Sequence, residues 1–252
     1  MDEQRQLILD QFTRQAAPFS EMHARDDGGV HRLLIETAGI GPEHEVLDVA
    51  CGPGLVACEV AKVARHVTGV DLTRAMIDQA EARQLTLGLT NLTWAVGDAQ
   101  PLAFPDASFS RVITRYTFHH FTEPSGVFAE MVRVCQPGGR VTVCDVFTTS
   151  PEQGEAYDRL ERYRDPSHTR ALQLAELEGL FATLGDVRRE FYKYPVDVED
   201  LLSRAFPEPG GADAFRKSID ADVGVNRLGI DASREGGLRF AFPVVIFSGV
   251  KS

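Results

Sequence analysis

An apolar run leads directly into a two-glycine turn at Val46-Leu47-Asp48-Val49-Ala50-Cys51-Gly52-Pro53-Gly54, and residues 55–65 then follow a helical spacing of apolar side chains. Glycine has no Cβ, so the backbone of such a turn can come close to a ligand. The helix that follows presents free N–H groups and the positive end of its dipole. This strand–turn–helix unit predicts a ligand site at the carboxyl edge of a sheet.

The same turn does not identify its ligand. Gly52-Pro53-Gly54-Leu55-Val56-Ala57 also fits the loose G-x-G-x-x-A pattern of dinucleotide-binding proteins. The turn therefore favours an adenosine-containing cofactor and leaves a nicotinamide cofactor and adenosylmethionine both open.

Two carboxylates, one after each of the next two predicted strands, bear on the choice between these two cofactors. Asp71 ends a strand 17 residues after Gly54, where it can accept hydrogen bonds from both hydroxyls of an adenosine ribose. Its alternative role is to cap the next helix, for which Thr73 is also available. Asp98, in Gly97-Asp98-Ala99, can accept from the adenine amine while Ala99 offers its N–H to the ring. An Asx turn is the alternative at that position.

Strand and helix patterns alternate through the middle of the chain. Short runs rich in Val, Ile and aromatics predict strands at 45–50, 66–70, 92–96, 109–114 and 140–146. Apolar spacings near 3.6 predict helices at 55–65, 73–85 and 125–134. This alternation predicts an α/β fold with a doubly wound parallel sheet, covered by helices on both faces.

The two ends of the chain depart from this alternation. Leu7, Ile8 and Phe12 predict a short amphipathic helix that ends at Pro18, before Asp26-Asp27 and Gly28-Gly29. Near the other end we expect a helix at 172–184 and strands at 187–194 and 238–250. The two late strands can pair in antiparallel fashion, with Pro243 forcing a bulge, a strand start or a free edge.

Composition limits the classes of partner. The chain has 252 residues, with 26 basic and 37 acidic side chains and a net charge of −11, so nucleic acid is not expected to be its main partner. The four cysteines form no C-x-x-C pair, which argues against zinc and indicates buried thiols in a reducing compartment. No signal peptide and no apolar run of about 20 residues is evident, so we expect a cytoplasmic protein without stable membrane insertion.

With these residues in view, the region 46–146 resembles the class I S-adenosylmethionine-dependent methyltransferases, and most closely the small-molecule branch of the ubiquinone/menaquinone-biosynthesis enzymes. Five stretches in order carry the resemblance: 46–54, Val70-Asp71, Gly97-Asp98-Ala99 with Pro101-Leu102-Ala103-Phe104, Phe118-His119-His120-Phe121, and Arg133-Val134-Cys135-Gln136-Pro137-Gly138-Gly139.

The resemblance implies a Rossmann-like sheet of seven strands with the last one antiparallel, and S-adenosyl-L-methionine as cofactor. The cofactor would sit on the glycine loop, and Asp71 would bind its ribose. Ala50 stands where the family has its first loop glycine. The cofactor-binding residues so implied are Asp48, Ala50, Cys51, Gly52 and Gly54 around the methionine part, Asp71, Leu72 and Met76 at the adenosine, Asp98 and Ala99 at the adenine edge, and Arg115 at the methionyl carboxylate.

Methyl transfer from a sulfonium is an in-line displacement that depends mainly on alignment and exclusion of water. A general base is needed only if the acceptor must lose a proton early. The candidate catalytic residues are His119 and His120, with His23 and Glu123 as further candidates. Packing beside the cofactor is the simpler interpretation of both histidines, and we expect no metal site.

We expect residues 1–30 to form a lid that hinges at Gly28-Gly29, and residues 31–252 to form the methyltransferase domain. Segments near 155–171 and 201–237 would cover the substrate. Aromatic side chains in these parts can line a pocket or belong to the core: Phe12, Phe19, Tyr157, Tyr163, Phe206 and Phe215.

The sequence therefore predicts methyl transfer to a small-molecule acceptor and leaves a homodimer open. A nicotinamide-dependent oxidoreductase on the same loop is one alternative, against which stand Gly97-Asp98-Ala99, the late antiparallel strand and the lack of a Tyr-x-x-x-Lys pair. A cofactor-binding protein without catalysis is the other alternative.

Overall fold

The computed structural model describes residues 3–20 and 28–252. The strands are β1 (Glu45–Val49), β2 (His66–Asp71), β3 (Leu92–Val96), β4 (Phe109–Arg115), β5 (Cys135–Thr148), β6 (Leu172–Gln173), β7 (Gly185–Asp197) and β8 (Arg239–Val250). The helices are α1 (Glu3–Ser20), α2 (Gly28–Ala38), α3 (Leu55–Ala61), α4 (Arg74–Leu87), α5 (Pro124–Val134), α6 (Pro151–Arg164), α7 (Leu174–Leu180), α8 (Val198–Leu202) and α9 (Gly211–Asp222).

One mixed sheet organises the molecule. Its strands lie in the order β3-β2-β1-β4-β5-β8-β7, and β1 to β5 pair in parallel. The last strand, β8, lies between β5 and β7 and is antiparallel to both. This confirms the Rossmann-like α/β fold with an antiparallel last strand. In the described part of the chain the sheet has eight strands, because the two-residue β6 also pairs with the end of β5.

The sheet separates two apolar cores. Along β1, Val46 faces one core while Leu47 and Val49 face the other, and along β8 Val244 and Val245 divide in the same way. This alternation follows from the pleat of a strand, in which successive side chains point to opposite faces. Helices α2, α3, α6 and α9 contribute to the first core, and α5 and α7 contribute to the second. Both faces of the sheet are therefore buried, as the sequence pattern predicts.

The N-terminal prediction needs correction. Pro18 does not end α1 but lies inside its last turn, where the missing N–H removes a single backbone hydrogen bond while the helix packs on α4. Gly28-Gly29 begins α2. Glycine destabilises a helix mainly in its interior, so it is tolerated at the first positions. Asp26-Asp27 lies outside the described residues.

The C-terminal prediction is closer to the structure. The expected helix at 172–184 is divided into β6, α7 and a short 3-10 turn at Phe181–Thr183, and the two late strands do form an antiparallel pair. Pro243 lies inside β8 opposite Lys193 of β7. Pairing of β8 with β5 runs from Val250 to Val244, so Pro243 takes the first position beyond the paired stretch, where its missing N–H has least effect.

The helices of the described ranges, 3–20 and 28–252, include none that is long and apolar enough to cross a membrane.

One glycine of β2 sets the spacing between the sheet and the glycine loop. A Cβ on Gly69 would lie 2.5 Å from the Trp94 ring and 2.9 Å from Sγ of Cys51. The indole is fixed in place, because its Nε1 donates to Gln84 Oε1 at 2.6 Å. Gly69 therefore permits the close packing of β3 and the glycine loop on β2.

We expect Gly69→Ala to lower the free energy of unfolding by about 1–3 kcal/mol, because overpacking forces fixed neighbours to move. Urea unfolding measures the change. Gly179→Ala is the matched control, since Gly179 lies in α7 and a Cβ there would meet nothing within 4 Å. That control is expected to be neutral or to stabilise by up to about 1 kcal/mol. Equal effects of the two substitutions would contradict the packing role of Gly69.

Candidate functional site

A cavity of about 700 Å³ opens at the carboxyl ends of the central parallel strands. Helix α1 covers one side with Gln4, Arg5, Ile8 and Phe12, and α6 closes the far end. Most residues implied by the resemblance meet there. The lining includes Ala50, Cys51, Gly52, Asp71, Leu72, Met76, Asp98, Ala99, Arg115, His119 and His120.

The glycine loop presents its backbone to this cavity. Ala50 and Gly52 both have a left-handed φ, of 53° in each case. This conformation is costly for alanine and free for glycine. A Cβ on Gly52 would meet nothing within 4 Å, so the backbone here faces open space that a ligand can fill. Cys51 N donates to Val70 O at 3.0 Å, which ties the loop to β2.

Asp48 and Gly54 lie behind this surface. Asp48 is buried, and one of its oxygens, Oδ2, has no hydrogen-bond partner among the described residues. Burial, and to a lesser extent the charge of Asp71, raises the pKa of Asp48 to about 8. At Gly54 a Cβ would lie 2.8 Å from Trp94 and 3.0 Å from Ala80. Gly54 is thus needed for the packing of α3 and α4.

Asp71 connects three elements at the cavity wall. Its Oδ2 accepts from Gly52 N at 2.8 Å, and its Oδ1 accepts from Thr73 N at 2.9 Å. Burial raises the pKa of Asp71, and the N–H groups of Thr73 and Gly52 oppose part of that rise. The carboxylate therefore holds the glycine loop against the end of β2 and the start of α4. Asp71 also borders the cavity, so it can bind the backbone at the start of α4 and still contact a ligand.

Asp98 shows the Asx turn that was the simpler alternative, and a contact that the sequence did not indicate. Its Oδ1 accepts from Gln100 N at 3.1 Å. Its Oδ2 forms an ion pair with Arg5 of α1. The N-terminal helix is therefore attached to the edge of the cavity nearest β3.

Arg115 is the last residue of β4 and borders the cavity, beside a histidine that the sequence did not indicate. Its Nη1 lies 2.8 Å from Nε2 of His31 on α2, and its guanidinium stacks over the Tyr116 ring at 4.4 Å. A cation with fixed orientation is thus available to bind an anionic group at this end of the cavity.

His119 is held by a buried carboxylate. Its Nδ1 lies 2.6 Å from Oδ1 of Asp145, a residue of β5 that also accepts from the backbone N–H groups of Thr117 and Phe118. Burial lowers the pKa of His119, but Asp145, together with Glu161 and Asp165, outweighs burial and the net shift of the pKa is upward. Since Nδ1–H donates to Asp145, Nε2 is the nitrogen that can exchange a proton with a ligand.

His120 has a different environment. Its Nδ1 lies 3.0 Å from the carbonyl oxygen of Ser167, and its ring contacts Phe12 edge to face at 5.1 Å. Burial, and then the charge of His119, holds the pKa of His120 far below its ordinary value. Gln4 of α1 donates to the carbonyl oxygens of His120 and Ser167 at 3.0 and 2.7 Å. The two histidines therefore point to different partners, as expected for neighbours on a turning chain.

Helix α6 brings Tyr157, one of the aromatic candidates, to the cavity together with two charged residues that the sequence did not indicate. Tyr157, Glu161 and Arg164 all border the cavity, at spacings of four and three residues that place them on one helix face. Glu161 and Arg164 form an ion pair. The signal was present in the amphipathic pattern of α6, but periodicity alone does not reveal which face meets a cavity.

The remaining candidates divide between cavity and core. Glu123 lines the cavity, as do Phe12 and Tyr157 among the aromatics. Phe215 is fully buried and Tyr163 packs against the same core, whereas Phe206 offers its carbonyl oxygen to Gln11. His23 lies outside the described residues, and nothing is described of the Phe19 side chain. Over 3–20 and 28–252, no group of three His, Cys, Asp or Glu side chains could hold a metal ion.

Known proteins are similar to this chain in fold and in sequence. Residues 47–143 match the family model described as a methyltransferase domain. The uncharacterized methyltransferase YcgJ of Bacillus subtilis is 30% identical over 209 residues, which cover 82% of this chain and 81% of YcgJ. The crystal structure of YcgJ superposes with a TM-score of 0.81 at 26% identity, covering 89% of this chain and 98% of that one.

A second relative matches the branch indicated by the sequence motifs. The ubiquinone/menaquinone biosynthesis C-methyltransferase UbiE of Desulfotalea psychrophila is 30% identical over 201 residues, which cover 77% of each chain. The family match, these relatives and the shared fold confirm the resemblance, and they show that this chain belongs to the S-adenosylmethionine-dependent methyltransferase family.

Proposed function

We propose that this protein transfers a methyl group from S-adenosylmethionine to a small-molecule acceptor within the cavity described above. The observation that carries the proposal is the continuity of this cavity. It joins the glycine loop, Asp71 and Asp98 at one end to His119 and the inner face of α6 at the other. A donor and an acceptor can therefore meet in one enclosed space.

The residues at the loop end fit the cofactor. The open backbone at Gly52 leaves room for the methionine part, and Arg115 with His31 can bind the methionyl carboxylate. Asp71 has a carboxylate at the wall for the ribose hydroxyls. Leu72 borders the cavity and Met76 is fully buried beside it, which suits the two faces of an adenine. Bound adenosylmethionine supplies an electrophilic methyl group on a sulfonium.

Helix α1 is proposed to act as a lid, as part of a segment spanning residues 1–30. Its contacts with the site include the ion pair of Arg5 with Asp98, the hydrogen bonds from Gln4 to two carbonyl groups and the ring contact of Phe12 with His120. The polar contacts can be exchanged for contacts with water, so the end of the helix that carries Gln4 and Arg5 can open for ligand exchange. When closed, it excludes water from a displacement in which charge is neutralised.

His119 is proposed as the general base for an acceptor that must lose a proton. Asp145 fixes the ring so that Nε2 remains for the acceptor. His120 is proposed as a positioning residue, because burial keeps it neutral and its Nδ1 is engaged by Ser167.

A cytoplasmic location is proposed as well. All four cysteines are free and buried, as is usual for thiols in a reducing compartment. Burial raises the pKa of Cys58 to about 12 and that of Cys135 to about 11, so these thiols are kept in the unreactive protonated form.

Calorimetry with S-adenosylhomocysteine, adenosylmethionine and NADH tests the cofactor. We expect both sulfur compounds to bind in the micromolar range and NADH to bind at least about 100-fold more weakly, a difference of about 3 kcal/mol. Transfer of a labelled methyl group into a metabolite extract tests catalysis. Binding of NADH in preference to S-adenosylhomocysteine would support the oxidoreductase alternative. Cofactor binding without any labelled product would support a binding protein without catalysis.

Asp71→Ala is expected to weaken S-adenosylhomocysteine binding on the order of 100-fold, because it removes charge-assisted hydrogen bonds to the ribose and frees the loop amide of Gly52. Asp78→Ala is the matched control. Asp78 lies in α4, and its exposed side chain pairs with Arg74. Calorimetry measures both variants, and circular dichroism checks that they fold. Equal affinity of Asp71→Ala and the control would refute the ribose role.

The pH dependence of His119 follows from its neighbours. Asp145 on β5, Glu161 on α6 and Asp165 after α6 all raise its pKa, against burial, which is the largest single influence and lowers it. The imidazole is therefore protonated below a pKa that lies above 6.5, and base action should be lost as pH falls through that value. NMR titration of the imidazole should find a pKa above 6.5.

Asp145→Asn should move that pKa downward, because burial then acts with less opposition. The acid limb of methyl transfer should move in the same direction. The His120 resonances serve as an internal control, since His120 should stay neutral in both proteins. A His119 pKa unaffected by Asp145→Asn would contradict the pairing.

A further inference from the structure

The face of α6 that lines the cavity has unused hydrogen-bonding capacity. Tyr157 is 1% exposed and Glu161 is 2% exposed, yet both border the cavity. Within the described part of the chain, neither the Tyr157 hydroxyl nor Oε1 of Glu161 has a hydrogen-bond partner. A buried polar group left unsatisfied costs about 1–3 kcal/mol. Two such groups on one helix face indicate a polar ligand rather than a purely structural role.

The chemistry of these two groups restricts which hydrogen-bonding groups the ligand can have. A carboxylate oxygen only accepts hydrogen bonds, so Oε1 of Glu161 requires a donor. The Tyr157 hydroxyl can donate or accept and can bond to the same atom. The ligand group is therefore one that donates, such as a hydroxyl or an amine, and a carbon acceptor by itself satisfies neither oxygen.

The ion pair of Glu161 with Arg164 favours a neutral donor at Oε1. The charge of Glu161 is already matched by Arg164, through Oε2. Arg164 itself borders the cavity and would repel an ammonium group placed beside Glu161. Asp165, the next carboxylate, is engaged by the backbone N–H and the hydroxyl of Ser167, at 2.9 and 2.6 Å. A hydroxyl satisfies Oε1 without adding a positive charge.

The cavity lining also includes the apolar and aromatic side chains of Phe12, Val146, Tyr194, Leu201 and Phe242. These walls suit the hydrocarbon or aromatic body of a small molecule, with its polar group directed at α6.

We propose that Tyr157 and Glu161 form the acceptor subsite, and that the acceptor is an alcohol or phenol whose neutral hydroxyl oxygen receives the methyl group. This inference rests on the proposed function. As the acceptor oxygen forms its bond to the methyl carbon, the sulfur–methyl bond breaks and its electron pair stays on sulfur. The single hydroxyl proton is donated to Oε1 of Glu161 in the bound state, and it is transferred to Nε2 of His119 as the bond to the methyl carbon forms. Tyr157 and Glu161 orient the oxygen before the transfer.

Binding of three matched probes to the protein saturated with S-adenosylhomocysteine tests the chemistry of the subsite. The probes are 4-methylphenol, 4-methylbenzylamine and 1,4-dimethylbenzene, which offer a neutral donor, a cation and no donor on the same ring. Ligand-observed NMR measures their affinities. We expect 4-methylphenol to bind at least about 10-fold more tightly than either of the others, because it can form one hydrogen bond with a carboxylate and one with a hydroxyl. Equal binding of the three, a preference for the amine, or no binding of the phenol would overturn the proposal.

Tyr157→Phe is the sharpest variant, because it removes a hydroxyl that has no partner among the described residues. The free energy of unfolding should therefore be unchanged or higher, while the affinity for 4-methylphenol falls about 5- to 10-fold. Tyr163→Phe is the matched control on the same helix, where the ring packs against the core, and its probe affinity should equal that of the unmodified protein. Loss of stability in Tyr157→Phe without loss of phenol affinity would show a structural role instead.

Glu161→Gln provides the second variant. Glutamine keeps the shape and one carbonyl acceptor but is a weaker acceptor than a carboxylate, so the preference for the phenol over 1,4-dimethylbenzene should shrink. An unchanged preference would count against the subsite. S-adenosylhomocysteine binding is measured first in every protein. Failure of that binding in the unmodified protein would defeat the proposed function, whereas intact cofactor binding without phenol preference would defeat only this inference.

Discussion

The carboxylate of Asp71 joins the end of β2 to both structures that create the cavity. One oxygen accepts from the Gly52 N–H of the glycine loop and the other accepts from the Thr73 N–H at the start of α4. The side chain is almost wholly buried, and its charged form is tolerated there because two backbone donors face it. Without this carboxylate the Gly52 N–H would lose its partner, and the bond from Cys51 N to Val70 O would remain to hold the loop against β2.

From that anchor the cavity is completed by elements distant in sequence. Helix α1 reaches it through the ion pair of Arg5 with Asp98 and the bonds of Gln4 to the chain near His120. Helix α2 adds His31 beside Arg115. The far end depends on Asp145, which accepts from the backbone after β4 and holds His119. A single carboxylate thus orders each end, Asp71 at the loop and Asp145 at the histidine, and the donor and acceptor regions are kept in one space.

Much of the fold follows from local patterns. The alternation of β-rich runs with helical spacings predicts the bounds of the parallel strands and of α3 to α5 within a few residues. This works because the spacing of apolar side chains along each element matches the geometry of the strand or helix that buries them. The predictions were weaker at the ends. Pro18 was expected to end a helix, but tertiary packing of α1 on α4 outweighs one lost hydrogen bond. The expected helix at 172–184 is divided, since pairing of Leu172 and Gln173 with the end of β5 competes with helix formation.

The sequence by itself determined the sheet, the glycine loop, the positions of Asp71, Asp98 and Arg115, and through its ordered motifs the family. These features depend on residues near one another in the chain or on the shared edge of a parallel sheet, so spacing is sufficient to place them. Only the tertiary structure decided that Arg5 and His31 reach this site, that Asp145 distinguishes His119 from His120, and that Tyr157 and Glu161 face the cavity. Those contacts join residues that are far apart in the sequence, and they depend on how the helices pack across the sheet. The local spacing of apolar side chains does not report them.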